Sequence, residues 1–185
     1  QVCLDAYQQG TQSFVPNLLP EQAVQLTAEE MLGILSDRLG DALDLAISTK
    51  YANPDNIPDM LPEAIQSPVK NEPDGSWLKR TNMVGINVRT VQSFWNIVKY
   101  ALTLPKIQDS IHILPIWEAG VVGSIYGLSS WELNPEFYSQ ELANACPQLN
   151  TIERQLRATI NILHAMGKSV GMDVIPHTDR YSQAS

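Results

Sequence analysis

Met83-Val84-Gly85-Ile86-Asn87-Val88, and after a helical stretch Ser110-Ile111-His112-Ile113-Leu114-Pro115-Ile116, decide the fold. Both are short, β-branched and apolar, which is strand character. Between them Val91, Phe94, Trp95, Val98, Ala101 and Leu102 recur at helical spacing, so a helix is expected over Val91 to Leu104. Farther on, Thr151 to Met166 repeats the helical pattern through Ile152, Leu156, Ile160 and Leu163, and Gly167 supplies a stop in the left-handed conformation. Lys168 to Ile175 then reads as a third strand, cut off by Pro176. Strand, helix, strand, helix, strand predicts a parallel sheet, because parallel neighbours need crossover connections.

Before the first strand the pattern is different. From Thr27 to about Thr49, Met31, Leu32, Leu35, Leu39, Leu43 and Ile47 predict one long amphipathic helix, opened by Thr27-Ala28-Glu29-Glu30, in which the Thr hydroxyl and a Glu carboxylate satisfy first-turn donors. Asn53-Pro54 ends it. Residues 54–75 carry prolines 54, 58, 62, 68 and 73 and close on Pro73-Asp74-Gly75, a connector with a helical turn expected near Pro62 to Gln66. The expected organisation is therefore a helical extension and Pro-rich connector over 1–80, then three βα units over 81–185.

The chain has 185 residues, 44% hydrophobic and 17% charged, against about 25% charged in an ordinary globular protein. That composition belongs to a folded, well-buried chain. Twelve Lys and Arg against twenty Asp and Glu give a net charge of −8, which disfavours nucleic acid and anionic lipid as partners. No apolar run of about 18 residues is present to span a bilayer, and cytoplasm is the default compartment. Cys3 and Cys146 lack metal-type spacing and are expected as buried thiols. Neither loop after a strand carries a dinucleotide or phosphate-loop fingerprint, and no cofactor is expected. The start at Gln1 and the Ser-Gln-Ala-Ser end suggest a piece of a longer chain.

Ligands of parallel sheets and barrels bind beyond the carboxyl ends of the strands, which selects three clusters. The first is Asn87, Arg89 and Thr90. The second runs from Trp117 to Pro135, expected as a loop of about twenty residues, longer than the 12–15 or so at which loops are usually functional. Its Trp117, Tyr126 and Trp131 offer flat apolar faces with polar edges, which suit a sugar ring, or else they anchor the loop to the core. The third is Asp173 to Tyr181, with Asp173, His177, Asp179 and Arg180 together at a strand end. Alternation puts Gly171, Asp173 and Ile175 on one sheet face. Asp173, placed among strand apolars, needs a partner, for which Arg180, His177, Arg89 and His112 are the candidates. His112 is expected inside. Convergence of His112, Asp173 and His177 on a metal is a weaker alternative, and no metal site is assigned.

Four segments together carry a resemblance. They are Ile113-Leu114-Pro115-Ile116, Ser124-Ile125-Tyr126-Gly127, His164-Ala165-Met166-Gly167-Lys168 and Val170-Gly171-Met172-Asp173-Val174-Ile175-Pro176-His177. They resemble the first part of the catalytic barrel in the α-amylase superfamily of glycoside hydrolases, over about residues 82 to 180. There a strand ending in Pro precedes a Tyr-Gly segment, and a helix ending His-x-x-Gly leads into a strand finishing Asp-Val-Val-x-Asn-His. The resemblance implies an α/β fold with a partial (β/α) barrel of about three parallel strands, preceded by the α-helical region. It makes Tyr126 the tyrosine that stacks under the sugar, and Asp173 a structural aspartate near the site. His177 lies four residues after Asp173 instead of five, with Thr178 at the fifth. It either replaces the family's histidine through a one-residue shift or stands at the asparagine position. Leu128 departs from the aromatic common after Tyr-Gly.

The family's nucleophile, acid/base and third carboxylate come from strands four, five and seven of an eight-stranded barrel of about 250 residues, none of which lies in this sequence. No catalytic residue is therefore assigned. The resemblance implies the N-terminal part of a glycoside hydrolase module in carbohydrate metabolism, inactive as this fragment alone. It would bind an α-glucan-like carbohydrate through Tyr126, His177, Trp117 and Trp131, with Asp173, Arg180 and Arg89 organising the site and a free sheet edge open to self-association. The alternative is a non-catalytic α/β domain that binds carbohydrate or protein.

Overall fold

A computed structural model of the chain describes residues 18–48, 65–72 and 74–175. It is a mixed α/β structure built on a three-stranded parallel sheet, with seven α-helices among the described residues. In chain order these are α1 (Pro20–Ala23), α2 (Ala28–Leu39), α3 (Asp41–Ile47), β1 (Met83–Ile86), α4 (Val88–Val91), α5 (Phe94–Leu102), β2 (Ser110–Ile113), β3 (Trp117–Ala119), β4 (Leu128–Leu133), α6 (Gln140–Ala145), α7 (Ile152–Ala165) and β5 (Ser169–Met172). The sheet order is β1-β2-β5, and both pairs are parallel, as the strand and helix alternation predicts.

Each element is shorter than its sequence pattern, for a local reason. β1 stops at Ile86 because Asn87 turns its side chain onto the Arg89 amide and opens α4 instead of continuing the strand. The helix expected from Val91 is divided. Val91 ends α4, Gln92 takes a left-handed conformation at φ 76°, and Ser93 caps α5 at the Asn96 amide. β2 ends at Ile113, although the Leu114 amide still donates to the Ile86 carbonyl, 2.9 Å, before Pro115, which has no N–H to offer. The stretch expected as one helix from Thr27 is two, parted at Gly40 with φ 53° and ψ −131°, a conformation closed to residues with a Cβ. The Thr27 and Glu30 capping box is formed as expected, and Gly167 takes φ 80° after α7. Residue Thr49, the Asn53-Pro54 stop and most of the connector lie outside the described residues.

The core has two parts, one on each side of α5. Ile86, Ile111 and Ile113 from the sheet meet Phe94, Ile97 and Ala101 of α5 and Leu156 and Leu163 of α7, so both crossover helices pack on the same sheet face. On the other side of α5, Trp95, Val98 and Leu102 meet Met31 and Leu35 of α2, Leu43 and Ala46 of α3, and Ile162 of α7. A helix buried on two sides is apolar almost all round, which is how α5 reads. Buried polar groups of α7 fasten the neighbouring loops: Gln155 bonds both the N–H and the carbonyl of Ser139, at 2.8 Å each, and the Leu149 carbonyl at 3.0 Å. Asn161 and His164 likewise hold the backbone of Ile65, so His164 has a structural duty.

At the amino end of the sheet the Asp109 carboxylate accepts from Thr81 Oγ1 at 2.6 Å and the Asn82 amide at 2.9 Å, and these bonds hold it below the usual aspartate range. Burial pushes the nearby Lys168 ammonium down, while Asp109 pulls it the other way. Lys168 Nζ donates to the Gln108 carbonyl at 2.6 Å. This end ties strands together.

Candidate functional site

The carboxyl ends of β1, β2 and β5 lie side by side, and the residues that follow them form the candidate site. The segment from Trp117 to Pro135, expected as a loop, is a β-hairpin instead. Trp117 pairs with Leu133 and Ala119 with Leu128, with a bulge between the two pairs. Three residues on β3 against six on β4 leave no regular alternation for a sequence pattern to show. The glycines let the tip fold back as expected: the Gly120 amide donates to the Gly127 carbonyl at 2.7 Å, and Gly123 takes φ 71°.

Trp117 and Trp131 meet edge to face with centroids 5.3 Å apart. Trp117 is half-buried against the sheet core, with its indole N–H enclosed and without an acceptor. It is thus the anchor of the pair. Trp131 is 45% exposed and Tyr126 49% exposed, so these two present their rings outward. Between Gly120 and Tyr126 the tip also exposes Val121 and Val122, at 78% and 84%.

Arg89 fastens this hairpin to the sheet. Its Nε donates to Glu136 Oε1 at 2.6 Å, and its guanidinium also donates to the Gly123 carbonyl at the tip. Glu136 in turn accepts from Asn134 Nδ2 at 2.8 Å, while the Asn134 amide reaches the Ile116 carbonyl at 2.9 Å beyond β2. The ordering role expected of Arg89 is therefore directed at the hairpin, not at Asp173. Glu136 and Asn134 were not among the candidate residues. The Asn134-Pro135-Glu136 turn is visible in the sequence, but its partner 47 residues upstream is not.

Asp173 finds His112. His112 Nε2 and Asp173 Oδ1 are 2.7 Å apart, and the two side chains are 30% and 33% exposed. Neither is inside, as the sequence led us to expect. They lie on the sheet face opposite α5 and α7, where His112 stands in register between Gly85 and Gly171. The ring leans across Gly171 so closely that a Cβ there would lie 2.8 Å from Nδ1. The glycine is thus the reason His112 can reach Asp173, two residues farther along the same face. His177 and Arg180 lie outside the described residues, as does Cys3; Cys146 is a half-buried free thiol. Among the described residues no group of three or more His, Cys, Asp or Glu could hold a metal ion, and His177 of the metal alternative is not among them.

The site thus consists of two outward aromatics on a hairpin pinned by Arg89, and a His–Asp pair on the sheet face below. No hydrogen bond joins the two parts among the described residues. Such a set can stack on a ring and hydrogen-bond a hydroxyl. Among the described residues no helix is long and apolar enough to cross a membrane. No protein-family model matches the sequence, and no curated protein matches it.

Proposed function

We propose that this chain forms the first three βα units of a (β/α) barrel of the α-amylase type and that the rim above its strands binds an α-glucan-like carbohydrate. The observation that carries this reading is the hairpin after β2, which lifts Tyr126 and Trp131 half-exposed above the carboxyl edge of a parallel sheet, the edge at which such sheets bind ligands. A strand order that advances in one direction, β1-β2-β5, with both crossover helices on one face, accords with the opening units of such a barrel, as it does with one half of a doubly wound sheet, and the motif resemblance chooses the barrel. Tyr126 and Trp131 stack on sugar faces, Trp117 holds Trp131, and Arg89 holds the tip. His177 and Arg180 are assigned to the same rim by the motif resemblance alone. This segment by itself binds without hydrolysing, since a glycosidase needs two opposed carboxylates.

Titration with maltoheptaose followed by tryptophan fluorescence tests this. Saturable quenching is expected, weakened at least tenfold in Tyr126→Ala and Trp131→Ala with the far-ultraviolet circular dichroism unchanged. Absence of binding, or equal binding in both variants, refutes the proposal. The exposure of Val121 and Val122 favours a second reading, in which the hairpin tip docks on a protein. Loss of a co-purifying partner in Val121→Asp, with glucan binding absent, would support that alternative.

A further inference from the structure

A groove of about 310 Å³ lies between α1 and the corner where α4 meets α5, with Thr90, next to Arg89, in its wall. Its walls include Ala23, Val24, Val91 and Tyr100, and one cation, Lys99, projects into them. Lys99 is half-buried, and its Nζ donates to the Leu26 carbonyl at 2.8 Å. An ammonium carries three donors, so two remain after that bond. Among the described residues no carboxylate lies within ion-pair distance of it, although the chain as a whole carries a charge of −8. Those two donors are free to meet an anionic group that enters the groove.

The same wall holds the one non-glycine residue with positive φ among the described residues, Gln92 at 76°. Such a backbone clusters where ligands bind. Its exposed side-chain amide bonds no other described residue and is free to turn into the groove.

We propose that this groove is a binding site for a small anionic amphiphile, a monocarboxylate with a short apolar chain. The carboxylate pairs with Lys99, the chain lies along Val24, Val91 and Tyr100, and Gln92 donates to the second carboxylate oxygen. The volume sits at the lower end of ligand pockets, about 300–1,000 Å³, and suits a ligand of about ten heavy atoms. The site is independent of the sugar proposal and shares no residue with it.

Octanoate, octanol and octylammonium, titrated into the full chain and followed through backbone amide resonances, test it. Octanoate is expected to saturate shifts at Val24, Gln92 and Tyr100, with octanol at least tenfold weaker and octylammonium weaker still. Lys99→Met keeps the stem and removes the charge, and should reduce octanoate affinity at least tenfold, to the level of octanol. Because that change also removes the tie to Leu26, Val24→Glu at a 70% exposed position serves as the second variant. It sets a competing carboxylate in the groove and leaves the tie intact, and the same loss is expected. Equal affinity for octanoate and octanol, no saturable shift at these residues, or octanoate binding unchanged in Val24→Glu would each overturn the proposal.

Discussion

Replacing Gly171 by alanine should gain the chain nothing when His112 is present and stabilise it when His112 is absent. A Cβ built at Gly171 lies 2.8 Å from His112 Nδ1, 3.7 Å from Cε1 and 3.9 Å from Cγ, so only the Nδ1 edge must retreat, by roughly half an ångström or more. The other ring nitrogen is bonded to Asp173 at 2.7 Å, and a ring pivoting about that bond must leave either its rotamer or its partner. Either loss is of the order of 1 kcal/mol for a part-exposed pair. Opposing it, alanine in a strand interior is favoured over glycine by roughly 0.5–1 kcal/mol. In the parent the two effects leave a net loss of at most about 0.5 kcal/mol. In His112→Ala only the second survives, so Gly171→Ala gains about 0.5–1 kcal/mol there. The backbone gain is common to both backgrounds and cancels, so the coupling between the two positions is about 1 kcal/mol, outside the additivity of roughly 0.3–0.5 kcal/mol expected of independent sites. Urea unfolding of the four proteins of the cycle, followed by tryptophan emission, measures it. Additive free energies would refute the placement of the ring across Gly171, and with it the face on which His112 and Asp173 meet.

Two further outcomes follow from groups outside the site. Gln155→Met retains the side-chain bulk but leaves the Ser139 amide and two carbonyls without their partner, so a loss of about 2 kcal/mol is expected in chemical denaturation, far above the effect of an ordinary surface change. Asp109 has its folded pKa held below the ordinary value, so it contributes stability above the unfolded pKa of about 3.9 that is lost as pH falls through the folded value. Asp109→Asn should accordingly be less stable than the parent at pH 7, and the difference should shrink as pH falls below the ordinary aspartate value of about 3.9 in parallel denaturation series.

Two different kinds of sequence signal account for what was legible. The parallel sheet is readable because β1 and β2 are short runs rich in β-branched residues and bounded by residues that end them, and because α5 and α7 each keep a helical period between strands. The break at Gly40 was not, since Leu43, Ala46 and Ile47 continue the apolar spacing of Met31 and Leu35 across it. Both segments bury the same kind of face against α5 and α7, and only the backbone angle of one glycine separates them. The hairpin was missed for the opposite reason. Trp117–Ala119 and Leu128–Leu133 are too short and too irregular in register to alternate, and their glycines and serines resemble loop chemistry. Its ordering partner is set by topology alone: Arg89 meets Glu136 only because α4 and the turn after β4 converge on the same end of the sheet, and no local spacing encodes that.

The face away from the helices shows why the candidate site is where it is. Had Met83, Gly85, His112 and Gly171 faced a packed helix layer, branched apolar residues of the kind found at Val84, Ile111 and Val170 would be expected in their place. Instead, glycines occupy the register positions on both sides of a histidine, leaving space that a ring or a ligand can enter, and the histidine spends one nitrogen on a carboxylate at the strand end. Sheets wound in one direction, with helices on one side, turn their other side inward when more strands join them, and in barrels that inner side is filled by layers of side chains. In such a closure His112 and Asp173 would form the polar layer nearest the mouth, beneath a hairpin that Arg89 already holds in place. On the proposed reading, the aromatic rim would take the faces of the sugar and the polar layer its hydroxyls, so loss of either half alone should weaken binding.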